Sequence, residues 1–140
     1  MIPRQATVLV CDELLISLTG KFTLLGNYTG DISIPTAPAT VPQLVFYFII
    51  ETDINDVYRS LTLQVALPES FPIVQLVPII PQMPTQPNRS RWTMRWPFLV
   101  SQPILNPGRI EAKVTHEKGE IIAGTPWIVL ASQQPQLPAS

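Results

Sequence analysis

The chain is poor in the residues that announce a chemistry. One cysteine among 140 residues excludes a disulfide scaffold and a multi-cysteine zinc site, and a single histidine removes the His-rich metal sites as well. Charge is scarce: nine basic and ten acidic residues leave a formal net charge of −1, and charged residues make up 14% of the chain against about 25% in an ordinary soluble domain. That balance leaves no electrostatic footprint for nucleic acid and no polybasic segment for a membrane surface. Glycine numbers only six, and neither a phosphate-binding glycine loop nor a Gly-x-Ser-x-Gly elbow occurs. The longest apolar run, Leu44 to Ile50, is far short of the ~18 residues that span a bilayer. The opening Met1-Ile2-Pro3-Arg4-Gln5 does not read as a secretory signal, because Asp12 and Glu13 end the apolar stretch Val8 to Cys11 too soon. The expectation is a cytoplasmic protein with a reduced thiol, in which the sequons Asn27-Tyr28-Thr29 and Asn88-Arg89-Ser90 are chance matches.

What the chain has instead is proline and apolar surface. Sixteen prolines are spread along it, and each costs about 3 kcal/mol in a helix interior, so helix is the minority state. Hydrophobic residues reach 46%, which excludes disorder for the chain as a whole. The length suits one domain, residues 1–132, followed by a polar, proline-containing tail over residues 133–140.

Period-two alternation identifies strands. Leu61, Leu63, Val65 and Leu67 share one face; Trp92, Met94 and Trp96 alternate with Arg91, Thr93 and Arg95; Ile110, Ala112 and Val114 alternate with Glu111, Lys113 and Thr115. The tract His116 to Glu120 reads as a hairpin turn with Gly119 at positive φ, and Leu18-Thr19-Gly20 marks a second hairpin. Leu44 to Ile50, apolar throughout, is expected to be a central strand covered on both faces. Eight to ten short strands with turn signals between them predict an all-β fold, a two-sheet antiparallel sandwich.

The N-terminal third resembles a family of small bacterial domains of uncharacterised function. The matching residues are Cys11-Asp12, Gly20-Lys21, Leu24, Gly26 and Tyr28, then Asp31-Ile32 and Pro35, with Pro42-Gln43-Leu44 and a closing hairpin from Gly119 to Trp127. The resemblance implies an immunoglobulin-like sandwich and supplies no catalytic residues.

Candidate sites carry alternative readings. Cys11 precedes two acids, Asp12 and Glu13, which would raise a thiol pKa, so it reads as a small buried residue rather than a nucleophile. His116 lacks the spacing of a catalytic dyad and reads as a hairpin shoulder. Glu51, Asp53, Asn55 and Asp56 place oxygens at alternate positions, as calcium loops do. Asp56 stands where an EF-hand needs Gly and Thr62 where it needs Glu, which favours a solvated turn. Arg89, Arg91 and Arg95 mix with Trp92 and Trp96 as in single-strand binders, yet the alternation puts arginines and indoles on opposite faces. Pro78, Pro81, Pro84 and Pro87, spaced three apart, match polyproline II, and Pro84 to Arg89 fits a PxxP-x-Arg ligand. The same segment also serves as a proline-stiffened connection or a blocked edge.

These readings converge on a non-catalytic interaction or structural module that needs no cofactor and no metal. With mean hydropathy +0.23 and so little charge, a free monomer struggles to cover itself with polar groups, so self-association or a place in a larger assembly is expected. A small-ligand or calcium-binding sandwich, and an adaptor bound through Pro78 to Arg89, are the alternatives.

Overall fold

A computed structural model describes residues 2–79 and 90–131. Fourteen strands follow one another along the chain. The first half holds β1 (Gln5–Cys11), β2 (Glu13–Ile16), β3 (Phe22–Leu25), β4 (Ile32–Ile34), β5 (Ala39–Thr40), β6 (Gln43–Asp53), β7 (Leu61–Ala66) and β8 (Ile73–Val77). The second half holds β9 (Arg91–Ser101), β10 (Ile104–Leu105), β11 (Gly108–Arg109), β12 (Glu111–His116), β13 (Gly119–Ala123) and β14 (Trp127–Leu130). The protein is an all-β sandwich. The count exceeds the eight to ten expected partly because β5, β10 and β11 are two-residue pairings, too short to show a periodicity in sequence.

Two sheets carry the sandwich: β1-β6-β9 and β13-β12-β7-β8, antiparallel throughout. Alternation decides which side chains meet between them. From the first sheet come Val8, Val10, Phe46, Phe48, Ile50 and Phe98; from the second, Leu61, Leu63, Val65, Ala112 and Val114, all in one buried cluster. Trp92, Met94 and Trp96 pack on its margin, as their alternation predicts, while Arg91 and Arg95 stay exposed. Indole burial leaves Trp96 Nε1 without a hydrogen-bond partner.

β6 is central and apolar on both faces. Its inward side chains Leu44, Phe46, Phe48 and Ile50 are fully buried, and on the opposite face Val45 is also at 0% exposure and Tyr47 at 6%. The β2–β3 hairpin supplies part of that outer cover, with Phe22 set edge-on against the Tyr47 ring at a centroid separation of 5.7 Å.

Smaller pairings close the ends. β11-β14-β4 forms a three-stranded sheet in which β14 runs parallel to β4, the one departure from the antiparallel expectation among the described residues. A parallel partner arrives from far along the chain, so no local turn signal foretells it. The turn Glu117-Lys118 joins β12 to β13, and Gly119, the first residue of β13, has φ +148°, the positive sign expected of it.

Replacing Phe46 by Ala is expected to cost about 3–5 kcal/mol. The check is the urea midpoint at constant slope, and a loss below about 1 kcal/mol would contradict the burial of β6's inner face.

Candidate functional site

Three groupings of side chains stand apart from the core. The first is centred on Arg4, just before β1. Its guanidinium is nearly buried, with the side chain 8% exposed, and lies over the Tyr58 ring at 4.4 Å from the centroid. Nε donates to Asp56 Oδ2 at 3.1 Å; Nη2 donates to Glu117 Oε1 at 2.7 Å and to the Asp56 carbonyl at 3.2 Å; Nη1 meets His116 Nδ1 at 2.9 Å. Lys118 Nζ donates to Asp56 Oδ1 at 2.7 Å, and the Arg59 and Ser60 amides donate to Glu117 Oε2 at 3.1 and 3.3 Å. One arginine thus ties the start of the chain to the turn after β6 and to the β12–β13 hairpin.

The electrostatics follow from this packing. Burial alone would push the Glu117 carboxyl up, but the Arg4 hydrogen bond and the backbone amides outweigh it and hold the group at about 2. Asp56 is lowered by Lys118 and then by Arg4. Burial, followed by the neighbouring Arg4 charge, lowers His116 and keeps it a neutral acceptor for the guanidinium. Burial pushes the Tyr58 hydroxyl to about 12, and it donates to the Glu51 carbonyl at 3.1 Å. Every acid here already has a cation or an N–H donor, which is the chemistry of a structural clamp.

The acids proposed for calcium meet the same fate. Asp53 Oδ1 accepts from the Asn55 amide at 2.9 Å, an Asx turn, and Oδ2 accepts from the Ile2 amide at 3.1 Å. These two amides, in that order, lower its pKa. Glu51 is paired with Arg91 and accepts from Gln5. Glu51, Asp53 and Asp56 therefore do not converge, and among the described residues no three His, Cys, Asp or Glu side chains gather as metal ligands would.

The second grouping lies at the other end of β1. Tyr28 Oη donates to Asp12 Oδ1 at 2.5 Å, the Tyr28 amide donates to the Val10 carbonyl at 2.9 Å, and Gln43 Nε2 donates to the Asp12 carbonyl at 3.4 Å. Burial, then the hydrogen bond to Asp12, raises Tyr28 to about 12. Gly26 sits at φ +69° with its α-carbon against the Asp12 carboxylate, where any side chain would collide. Cys11, Asp12, Gly26, Tyr28 and Gln43, five of the residues on which the resemblance is drawn, are thus neighbours in space. Asp12, Glu13 and Tyr28 line an open groove of about 650 Å³ with Val41, Pro42 and Gln43. Cys11 is fully buried, its Sγ 3.5 Å from the Glu13 carbonyl, and burial followed by the Asp12 charge raises its pKa. Cys11 and the Arg4–His116 clamp occupy opposite ends of β1, about 20 Å apart at the strand rise, so thiol and imidazole form no catalytic pair.

The third grouping is apolar and exposed. Leu15, Ile16, Leu18, Phe22 and Leu25 of the β2–β3 hairpin, together with Phe71, Ile73, Val74 and Leu76 around β8, account for nine of the fourteen large hydrophobic residues that are exposed among the described residues. Of the proline series, Pro78 is exposed just after β8. Pro81, Pro84, Pro87 and Arg89 lie outside the described residues, as does the tail 132–140. Arg91 and Arg95 project from the outer face of β9, opposite Asp53 and Ile49 of β6.

Sequence reasoning missed Arg4 as an organising residue. Its partners lie more than fifty positions away, and no local pattern announces them. Asp12, Gly26 and Tyr28 were visible as a spaced pattern, but only as a resemblance. No protein-family model matches the chain, and no curated protein or solved structure matches it either. Among the described residues no helix is long and apolar enough to cross a membrane.

Arg4→Met is expected to lower stability at pH 7 by about 1–3 kcal/mol, since it removes the cation that Asp56 and Glu117 share and leaves Asp56 with Lys118 and Glu117 with the Arg59 and Ser60 amides. Glu117 titrates near 2 in the fold against an ordinary value of 4.5. The unfolded chain therefore takes up this proton first, and the stabilisation, complete above about pH 5, is lost as pH falls towards 2. With the carboxylate partly solvated, the effect is about 1–2 kcal/mol. Urea titrations from pH 7 to 3 should show Glu117→Gln with a flatter acid limb than the wild type; parallel limbs would remove Glu117 from the account.

Proposed function

We propose that this protein is a non-catalytic β-sandwich interaction module that associates with copies of itself and serves as a structural component of an assembly. The observation that carries the reading is the distribution of exposed apolar side chains. They are concentrated on the β2–β3 hairpin and around β8, where a soluble monomer would be expected to place polar groups. The titratable clusters support the same reading from the other side. The groups around Arg4 are consumed by one another, and Cys11 is buried and far from His116.

A cytoplasmic location belongs to the same proposal. Cys11 is a free, buried thiol, and the sandwich draws its cohesion from an apolar core rather than from cross-links. Kinship with small bacterial domains of uncharacterised function is part of the same proposal, supported by the spatial gathering of Asp12, Gly26 and Tyr28.

Sedimentation velocity across about 1–100 µM tests the reading by mass action. The expected result is a concentration-dependent rise above the 15.6 kDa monomer. A monomer throughout that range overturns self-association.

A further inference from the structure

Strand β8 ends its sheet: it pairs with β7 and, among the described residues, has no strand on its other side. Such a rim presents a row of N–H and C=O groups ready to take another strand, and folded proteins blunt it with charge or proline. The rim of β9 is blunted in this way by Arg91, Arg95 and Pro97, and β13 is in contact with β1. β8 carries no charge and no internal proline. Its Val74 is 57% exposed, its Leu76 77%, and Phe71 just upstream 93%.

The stretch reads Phe71-Pro72-Ile73-Val74-Gln75-Leu76-Val77-Pro78-Ile79. Reversed about Gln75, apolar residues meet apolar residues and proline meets proline at every position. Two copies laid antiparallel about a twofold axis through Gln75 set Val74 of one against Leu76 of the other, Ile73 against Val77, and Phe71 against Ile79. An isologous contact demands this self-complementarity, because one surface must serve both partners. The flanking prolines reinforce the register. Having no N–H, Pro72 and Pro78 end the ladder at both limits, and a slip of two residues would bring one of them into it.

The geometry points to β8 as a homodimer edge, at which a second copy of this chain adds its own β8 antiparallel about Gln75 and joins the two four-stranded sheets into one. This inference rests on the self-association reading and names the surface and the register. The contact is small beside the ~1,200–2,000 Å² of a stable interface, so a micromolar dimer is expected.

The test is a charge swap, read by sedimentation with circular dichroism confirming the fold. Both positions face solvent on the outer side of the sheet, so the monomer tolerates substitution there. V74K/L76K sets like charges across the axis and should weaken dimerisation about 100-fold, whereas V74K/L76E sets opposite charges across it and should return to within about tenfold of the wild type. If both variants dimerise as the wild type does, another surface is used: the β8 inference falls and self-association stands. If both dissociate alike, the register about Gln75 is wrong. A monomeric wild type overturns the self-association reading itself and the edge with it.

Discussion

The fold depends on β6 being buried from both sides. An eleven-residue strand with seven consecutive apolar side chains has no solvent face, so it can exist only with a sheet beneath it and a cover above it. The second sheet meets the inner set, Phe46, Phe48 and Ile50. The β2–β3 hairpin, folding back immediately after β1, brings Phe22 over Tyr47 on the outer set. The hairpin is therefore part of the fold's requirement, although its own outer residues remain in water.

A strand that is apolar on both faces has a weakness, because sliding it by one residue exchanges equivalent surfaces and alternation cannot choose between registers. The choice is made at its ends. At the first, Gln43 donates to the Asp12 carbonyl, beside the Asp12–Tyr28 contact. At the other, Glu51 pairs with Arg91, Tyr58 donates to the Glu51 carbonyl, and the buried Thr52 hydroxyl donates to the Asp56 carbonyl at 3.2 Å. Arg4 then holds Asp56 against Glu117 of the second sheet's hairpin. The polar clusters at the two ends of β1 and β6 are thus register locks, which explains why so many of the titratable groups pair with one another.

What was legible in the sequence follows from the range of each interaction. Leu61 to Val65, Trp92 to Trp96 and Ala112 to Val114 declare themselves by alternation, and the β12–β13 turn by the polar run that ends in Gly119, because those signals are local. The Asx turn at Asp53 and Asn55 is local too, and it is what the acidic loop proves to be. The Arg4 clamp, the parallel pairing of β14 with β4, and the two-residue pairings of β5, β10 and β11 are contacts of long sequence separation between short segments. A side chain such as Arg4, lying before the first strand, carries no trace of partners that arrive only after the fold is assembled.

The scarcity of charge then acquires a structural meaning. Four of the cations, Arg4, Arg91, Lys113 and Lys118, are paired with Asp56, Glu117, Glu51 or Glu120, at the clamp or across neighbouring strands. Of these only Arg4 is nearly buried, and the rest pair at the surface, so few unpaired charges are left to guard the sheet edges. β9 receives Arg91, Arg95 and Pro97, whereas β8 has only the prolines at its limits. Those prolines bound a pairing segment without abolishing it: having no N–H, they limit the ladder of an added strand, yet leave five residues between them able to pair. An edge built to repel all strands would place charge or proline at its centre. Here the centre is Gln75, an uncharged side chain between apolar neighbours, and that arrangement restricts pairing to one short length rather than forbidding it.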